Sequence, residues 1–369
     1  MKSLIYCANI HSGGALQVAS SFIYEICKSD LKSDLCSIWV SSEIHEALKL
    51  RGIELLDYEF ISVMDCNFKS VLSLKHTLKL LKFKKVFVVF GPLYSFLYPK
   101  KTVVGFAQPW IVYPDNEVYR SYSLLDKLST KLKYKIQKYF YLKSSEFIVE
   151  LPHVKEQLAF LHGVCRSKIH VVNNCLSDVF FDESKWESIH FPVESGNFKV
   201  GFLGRNYSHK NVKYILSVKD YLFECFGEDI DIYVTFTDVE FHSCSKHFQQ
   251  SVQNLGSLSA NQCPTFFKFI DLLVFPSLLE CFSATPIEAM FMKTPLVVSD
   301  RVFNKDVCSD FAFYINPEIP SECALIIKES FIDNPIDNEI ELQNAKRHSH
   351  KFSQPNRRAE QYIEILHNL

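Results

Sequence analysis

No run of eighteen apolar residues occurs in the chain, so no segment of it reads as a membrane-spanning helix. No C-x-x-C pair and no zinc-like Cys/His spacing is present, so the 12 cysteines do not build a metal framework. Cys7, Cys27, Cys36 and Cys225 stand in apolar surroundings, where cysteine acts as a small hydrophobe. That usage suits a reducing compartment, and the expected location is the cytoplasm. Charge of one sign is also missing: the net charge is -2, so no global basic field points to nucleic acid. Internal repeats and low-complexity tracts are absent. The amino-terminal MKSLIYCANIHSGG has too short an apolar run for a secretory leader and is expected to be a first β-strand.

What is present is a chain of 369 residues, 47% hydrophobic and 14% aromatic, enough to bury two cores. Its charge is segregated. Residues 61–145 hold 15 Lys and Arg against 4 Asp and Glu, a balance of +11, so the remainder lies near -13.

Short apolar runs alternate with longer amphipathic ones. SLIYCAN, LCSIWVS, KVFVVFG, TVVGFAQP, EFIVEL and KIHVVNN read as strands. Ala15–Lys28, SEIHEALKLRG, FKSVLSLKHTLKLLKF, Leu124–Lys143 and VKEQLAFLHG read as helices between them. The irregular SDVFFDESKWESIHFPVESGN follows, and the rhythm restarts at FKVGFLG. The expected class is α/β, with two Rossmann-like domains facing across a cleft. Residues 1–177 form the first, 178–197 a linker and 198–350 the second, with 351–369 a helix returning toward the first.

In open α/β sheets ligands bind at the carboxyl ends of the strands. Three strand-to-helix turns carry suitable residues. HSGGALQVA places Gly13 and Gly14 after the first strand; it matches neither a P-loop nor G-x-G-x-x-G, and a plain tight turn explains it equally well. VGFLGRNYSHKNVKYIL places Arg205 and Lys210 around a helix start, where free N–H groups already attract anions. The pair reads either as a pyrophosphate clamp or as two solvated cations. SLLECFSATPIEAMFM places Glu280 and Glu288 eight positions apart, with a helix starting between them. Thr285-Pro286-Ile287-Glu288 fits a capping box, with Thr285 as N-cap and Glu288 folding back at N3. Capping leaves Glu280 unexplained. Ser283 and Ala284 would offer backbone N–H groups to a diphosphate. Carboxylates are acceptor-only groups suited to sugar hydroxyls.

Taken together, these segments resemble the retaining GT-B glycosyltransferases of the "glycosyl transferases group 1" family. The resemblance runs along nearly the whole chain and is strongest from Val200 to Pro317: VGFLGRNYSHKN, NLGSLS, LLVFPSLLECFSATPIEAMFMKTPLVVSD and FYINP. It implies that Arg205 and Lys210 hold the donor diphosphate, that Glu280 contacts the donor sugar, and that Glu288 contacts the ribose. It places Cys281, Phe282, Ser283 and Ala284 in the donor pocket, and Gly13, Gly14 and Gln108 on the acceptor side. Arg205, Lys210 and Glu280 would carry the catalysis. Two positions depart from the family pattern. Cys281 and Ser283 stand where glycines are common, and Gln108 stands where a histidine is common. No cofactor and no metal is implied; Asp229-Ile-Asp231 looks like a metal-binding DxD but opens a strand. The implied partners are a nucleotide-diphosphate sugar and an oligosaccharide or lipid-linked acceptor of surface polysaccharide synthesis, with no nucleic acid. An epimerase of similar architecture and an inactive member of a polysaccharide-assembling complex are the competing readings. In the basic stretch, six lysines from Lys127 to Lys143 accompany Tyr134, Tyr139, Phe140 and Tyr141. That combination suits the surface of an anionic membrane, with the protein peripheral at its inner face, or else an ordinary solvated helix.

Overall fold

A computed structural model describes residues 3–29, 37–66, 73–192, 196–333, 339–352 and 354–369. The start of the helix expected over FKSVLSLKHTLKLLKF lies partly outside these residues, as does part of the 178–197 linker.

The apolar runs form two parallel sheets. The first holds β1 (Ser3–Cys7), β2 (Ser37–Val40), β3 (Ile61–Val63), β4 (Lys85–Val88), β5 (Lys101–Gly105), β6 (Glu146–Val149) and β7 (Ile169–Val171), in the order β3-β2-β1-β4-β5-β6-β7. The second holds β8 (Phe198–Phe202), β9 (Ile230–Val234), β10 (Val252–Asn254), β11 (Leu272–Phe275), β12 (Leu296–Ser299) and β13 (Phe313–Ile315), in the order β10-β9-β8-β11-β12-β13. The α/β class with two Rossmann-like sheets is therefore present. Leu4, Ile5, Leu272, Leu273 and Val274 are fully buried, as strands covered by helices on both faces require. In each sheet the strand order reverses once, between β1 and β4 and between β8 and β11. A doubly wound sheet opens its ligand crevice at that reversal.

One compact unit comprises Met1–Pro114, Tyr122–Cys175 and Ser353–Leu369; the other comprises Asp115–Ser121 and Leu176–Phe352. Residues 115–121 group with the second unit, where Glu117 pairs with Arg301 at 2.5 Å and Arg120 pairs with Glu318.

The Pro355–Asn368 helix completes the first unit. Ala359, Tyr362, Ile363 and Leu366 enter its core, and the Tyr362 ring meets Phe22 and Phe87 edge-on, each at 5.1 Å. Arg358 is buried on the same helix and donates to Asn174 Oδ1 at 2.5 Å.

The Leu124–Tyr141 helix belongs to the first unit. It buries Phe140 and Tyr141, and it stacks Tyr134 on Trp110 at 5.5 Å. Of the four aromatics read as facing a membrane, only Tyr139 is exposed. An aromatic on a helix that must pack on a core is drawn into it first, because its burial removes the most apolar area from water. Among the described residues no helix is long and apolar enough to cross a membrane.

Candidate functional site

The reversal between β8 and β11 carries the charged residues picked out above. Chain leaving β8 passes Gly204, whose N–H donates to Thr235 Oγ1 at 3.0 Å, and then reaches Arg205. A short turn follows at Ser208–Lys210, closed by Asn211 in the left-handed region at φ 52°. The turn is tied to the exit of β11, where the Leu278 N–H donates to the His209 carbonyl at 2.7 Å. This one backbone bond fixes the Lys210 turn against the loop that carries Glu280.

Lys210 and Glu280 meet there, Nζ to Oε1, at 2.6 Å. Both side chains are largely buried, and Lys210 also lies over the Phe275 ring at 5.0 Å. The contact is close in distance but is not an aligned hydrogen bond, and Glu280 Oε1 is left without a hydrogen-bond donor, so the attraction offsets the pair's desolvation only in part. His209 faces the pair. Burial holds its imidazole below its ordinary range, against the pull of Glu280, and Tyr207 stacks on it at 5.6 Å.

Arg205 does not join the pair. Its Nε donates to Glu240 Oε1 at 2.7 Å and Oε2 at 2.9 Å, while the guanidinium stays half exposed. Glu240 also accepts from the Thr237 N–H and hydroxyl and so completes a capping box on the Asp238–His242 helix. Burial works against ionisation of Glu240, but Arg205 and Thr237 outweigh it and hold the carboxyl below its usual range. Glu240 was not picked out from sequence; it lies 35 positions from Arg205, and only the fold joins them.

The helix start after Glu280 differs from the capping box read in the sequence. The helix is Thr285–Met292, its N-cap is Ala284, and no side chain caps it. Pro286 occupies the second helical position, where its missing N–H costs nothing, since first-turn donors lack intrahelical partners. Glu288 therefore stands one place beyond the capping position, and its N–H donates to the Ala284 carbonyl at 2.9 Å. Cys281 is buried, while Phe282, Ser283 and Ala284 keep part of their surface.

Burial pushes the Glu288 carboxyl up to about 7, although the residue itself keeps some exposure. The ordinary value is 4.5, so folding favours the protonated form. Between those values the unfolded chain gives up its proton before the folded chain does, and this contribution to stability falls as pH rises from about 4.5 to about 7. Glu288→Gln is expected to flatten that fall. Thermal-unfolding midpoints measured across the window check it, and equal slopes in both proteins would refute it.

In the first unit, Gly13 and Gly14 open the Gly13–Lys28 helix after β1. Gly13 has φ 72°, a conformation that side chains resist, whereas a Cβ on Gly14 would meet nothing within 4 Å. Gln108 caps the short Pro109–Val112 helix after β5, and its Nε2 donates to Gln137 Oε1 at 3.2 Å. Beside Gly13, His11 Nδ1 lies 2.8 Å from Glu43, and Asp65 accepts from the Ser42 N–H and hydroxyl. No sequence spacing announced that group, because its members come from three different strand ends. Asp229 and Asp231 sit at the amino end of β9, away from Lys210, and Asp229 pairs with Lys219 at 2.5 Å.

Comparison with known proteins follows the same division. Residues 184–348 match the family model described as Glycosyl transferases group 1. An O-antigen chain mannosyltransferase, RfbU, from Salmonella typhimurium is 24% identical over 171 residues, covering 45% of each chain. The alignments thus span about half the length of the curated relatives they match. The Anabaena protein Alr3699/HepE, solved with UDP and glucose, superposes with TM-score 0.67 at 16% identity, over all of both chains. WaaG, a glycosyltransferase involved in lipopolysaccharide biosynthesis, gives 0.68 at 10% identity over 99% of both. At such identities these two likenesses establish the fold.

Proposed function

Because residues 184–348 are a glycosyl transferases group 1 domain, we propose that this chain moves a sugar from a nucleotide-diphosphate sugar onto a lipid-linked saccharide, with retention at the anomeric carbon. The Lys210–Glu280 pair at the reversal of the second sheet carries this reading. It brings a cation for the leaving diphosphate next to a carboxylate that can accept from sugar hydroxyls. Arg205, in the same loop, supplies a second cation once a diphosphate draws it from Glu240. The N–H groups opening the Thr285–Met292 helix, together with Phe282, Ser283 and Ala284, complete the phosphate cradle.

Retention follows if the departing diphosphate itself takes the acceptor's proton on the face it leaves. The protein then needs no base on the opposite face and no metal; its work is electrostatic stabilisation of the leaving group. Glu288 is assigned to the donor ribose, and Cys281 to the packing behind the pocket. Gly13, Gly14 and Gln108 of the first unit are assigned to the acceptor. The names of the Salmonella relative and of WaaG support placing the reaction in surface polysaccharide synthesis.

A panel of UDP-, GDP- and TDP-sugars, read first by thermal shift and then by transfer to an oligosaccharide acceptor, tests the reading. One donor is expected to stabilise the chain, and the anomeric proton of the product should report the donor's configuration. An inverted product would refute retention. Formation of the donor's 2-epimer would replace the reading with an epimerase, and binding without turnover with an inactive partner.

A further inference from the structure

The Leu124–Tyr141 helix turns its most apolar side to solvent. Leu124, Leu125, Leu128, Leu132, Ile136 and Tyr139 are all exposed, the first two at 80%. At 100° per residue they share an arc of about 120°. The opposite side supplies the packing: Tyr134 on Trp110, Phe140 and Tyr141 in the core, and Gln137 bonded to Gln108. The helix is thus satisfied against its own unit and still presents an apolar strip.

Lysines frame that strip. Lys127, Lys131 and Lys138 run along one border, Lys133 stands on the other, and Lys135 rises within it, while Asp126 is the helix's one acid. Beside the carboxyl end, Phe96 and Leu97 are also exposed, and the Phe96 ring meets Phe140 at 6.1 Å. Under the strip, a cavity of about 390 Å³ is lined by Tyr94, Ser129, Leu132, Lys133, Ile136 and Gln137.

We propose that this face docks on an anionic lipid bilayer, the helix lying in the interface with its leucines among the acyl chains and its lysines at the phosphates. Charge decides the occupant. A second copy of the chain would set one lysine frame against another, whereas an anionic leaflet complements it. Lysine stems are long enough to hold their ammonium groups at headgroup level while the neighbouring leucines go deeper. The cavity gives the end of an acyl chain a place beside Leu132 and Ile136. This inference takes from the proposed function only that the acceptor is carried on a lipid.

The test is co-sedimentation of the full chain with phosphatidylcholine vesicles, with and without phosphatidylglycerol, alongside two variants. Leu125→Ser/Leu128→Ser/Leu132→Ser is expected to weaken binding to anionic vesicles at least about tenfold, with its thermal midpoint nearly unchanged because those side chains are mostly exposed. Lys131→Gln/Lys133→Gln/Lys135→Gln is expected to lose about 10²-fold on anionic vesicles and nothing on neutral ones. Failure of the wild-type chain to sediment with anionic vesicles at low salt overturns the proposal. So does a dimer, seen by sedimentation equilibrium, that the serine variant abolishes without any effect on vesicles. Sugar transfer to a soluble acceptor is measured in parallel, so that a loss of docking with transfer intact leaves the proposed function standing.

Discussion

Lys210→Met is expected to lower the rate of sugar transfer by on the order of 10²-fold or more at saturating donor. The ammonium is the charge closest to Glu280, and methionine keeps the length of the side chain while removing it. A stability effect comes with the change. Glu280 is buried, and removing its partner leaves a carboxylate with no cation, which costs about 3–5 kcal/mol in comparable buried pairs. The double variant Lys210→Met/Glu280→Gln separates the two effects. It should recover most of the lost stability, since neither charge remains, and none of the lost rate. The measurements are kcat and thermal midpoint for the two variants and for Glu280→Gln alone. A Lys210→Met enzyme turning over within about threefold of wild type would remove Lys210 from the chemistry.

Gly105→Ala is expected to produce the largest loss of stability of any single methyl added to the described strands. Gly105 ends β5, and a Cβ built there would stand 1.8 Å from the Val89 carbonyl oxygen, with Val89 C at 2.8 Å. The obstacle is backbone, held where the Val89 N–H donates to the Tyr6 carbonyl at 3.1 Å. Side chains can rotate away from an intruding methyl; a carbonyl between two paired strands cannot. The cost is put at more than about 3 kcal/mol. For a unit of this size that lowers the midpoint by roughly 6–12 °C. Gly14→Ala is the control, because open space surrounds that position and its backbone is ordinary. Equal midpoints for the two variants would overturn the expectation.

The sequence revealed more of the sheets than of the site. β8 alternates Phe198, Val200 and Phe202 with Lys199 and Gly201 and begins where FKVGFLG restarts the rhythm, while β11, LLVF, is an unbroken apolar run. β3, β10 and β13 have three residues each and take their definition from the strand each pairs with, whereas β7, equally short, is legible as part of KIHVVNN. Arg205, Lys210 and Glu280 were visible as residue types at strand ends. That Lys210 meets Glu280 while Arg205 turns to Glu240 was not, since those partners are 70 and 35 positions apart. The capping box misled for a local reason. Proline is equally at home at the first and second helical positions, so Thr285-Pro286 left the helix start uncertain by one residue. In the Leu124–Tyr141 helix the composition does not tell which residues face inward: Tyr134, Phe140 and Tyr141 do, while Leu124, Leu125, Leu128 and Leu132 stay exposed.

The return of the Pro355–Asn368 helix to the first unit bears on how this polypeptide emerges during translation. Tyr362, Ile363 and Leu366 fill the core beneath β1 and β4, yet they are made after every residue of the second unit. While the ribosome is still working, the amino-terminal sheet has all its strands and an open apolar trough along one side. Every residue of the other unit, Asp115–Ser121 and Leu176–Phe352, precedes that helix in the chain. Order of synthesis and order of completion are thereby reversed: the core of the first unit closes only once residues 355–368 have been made.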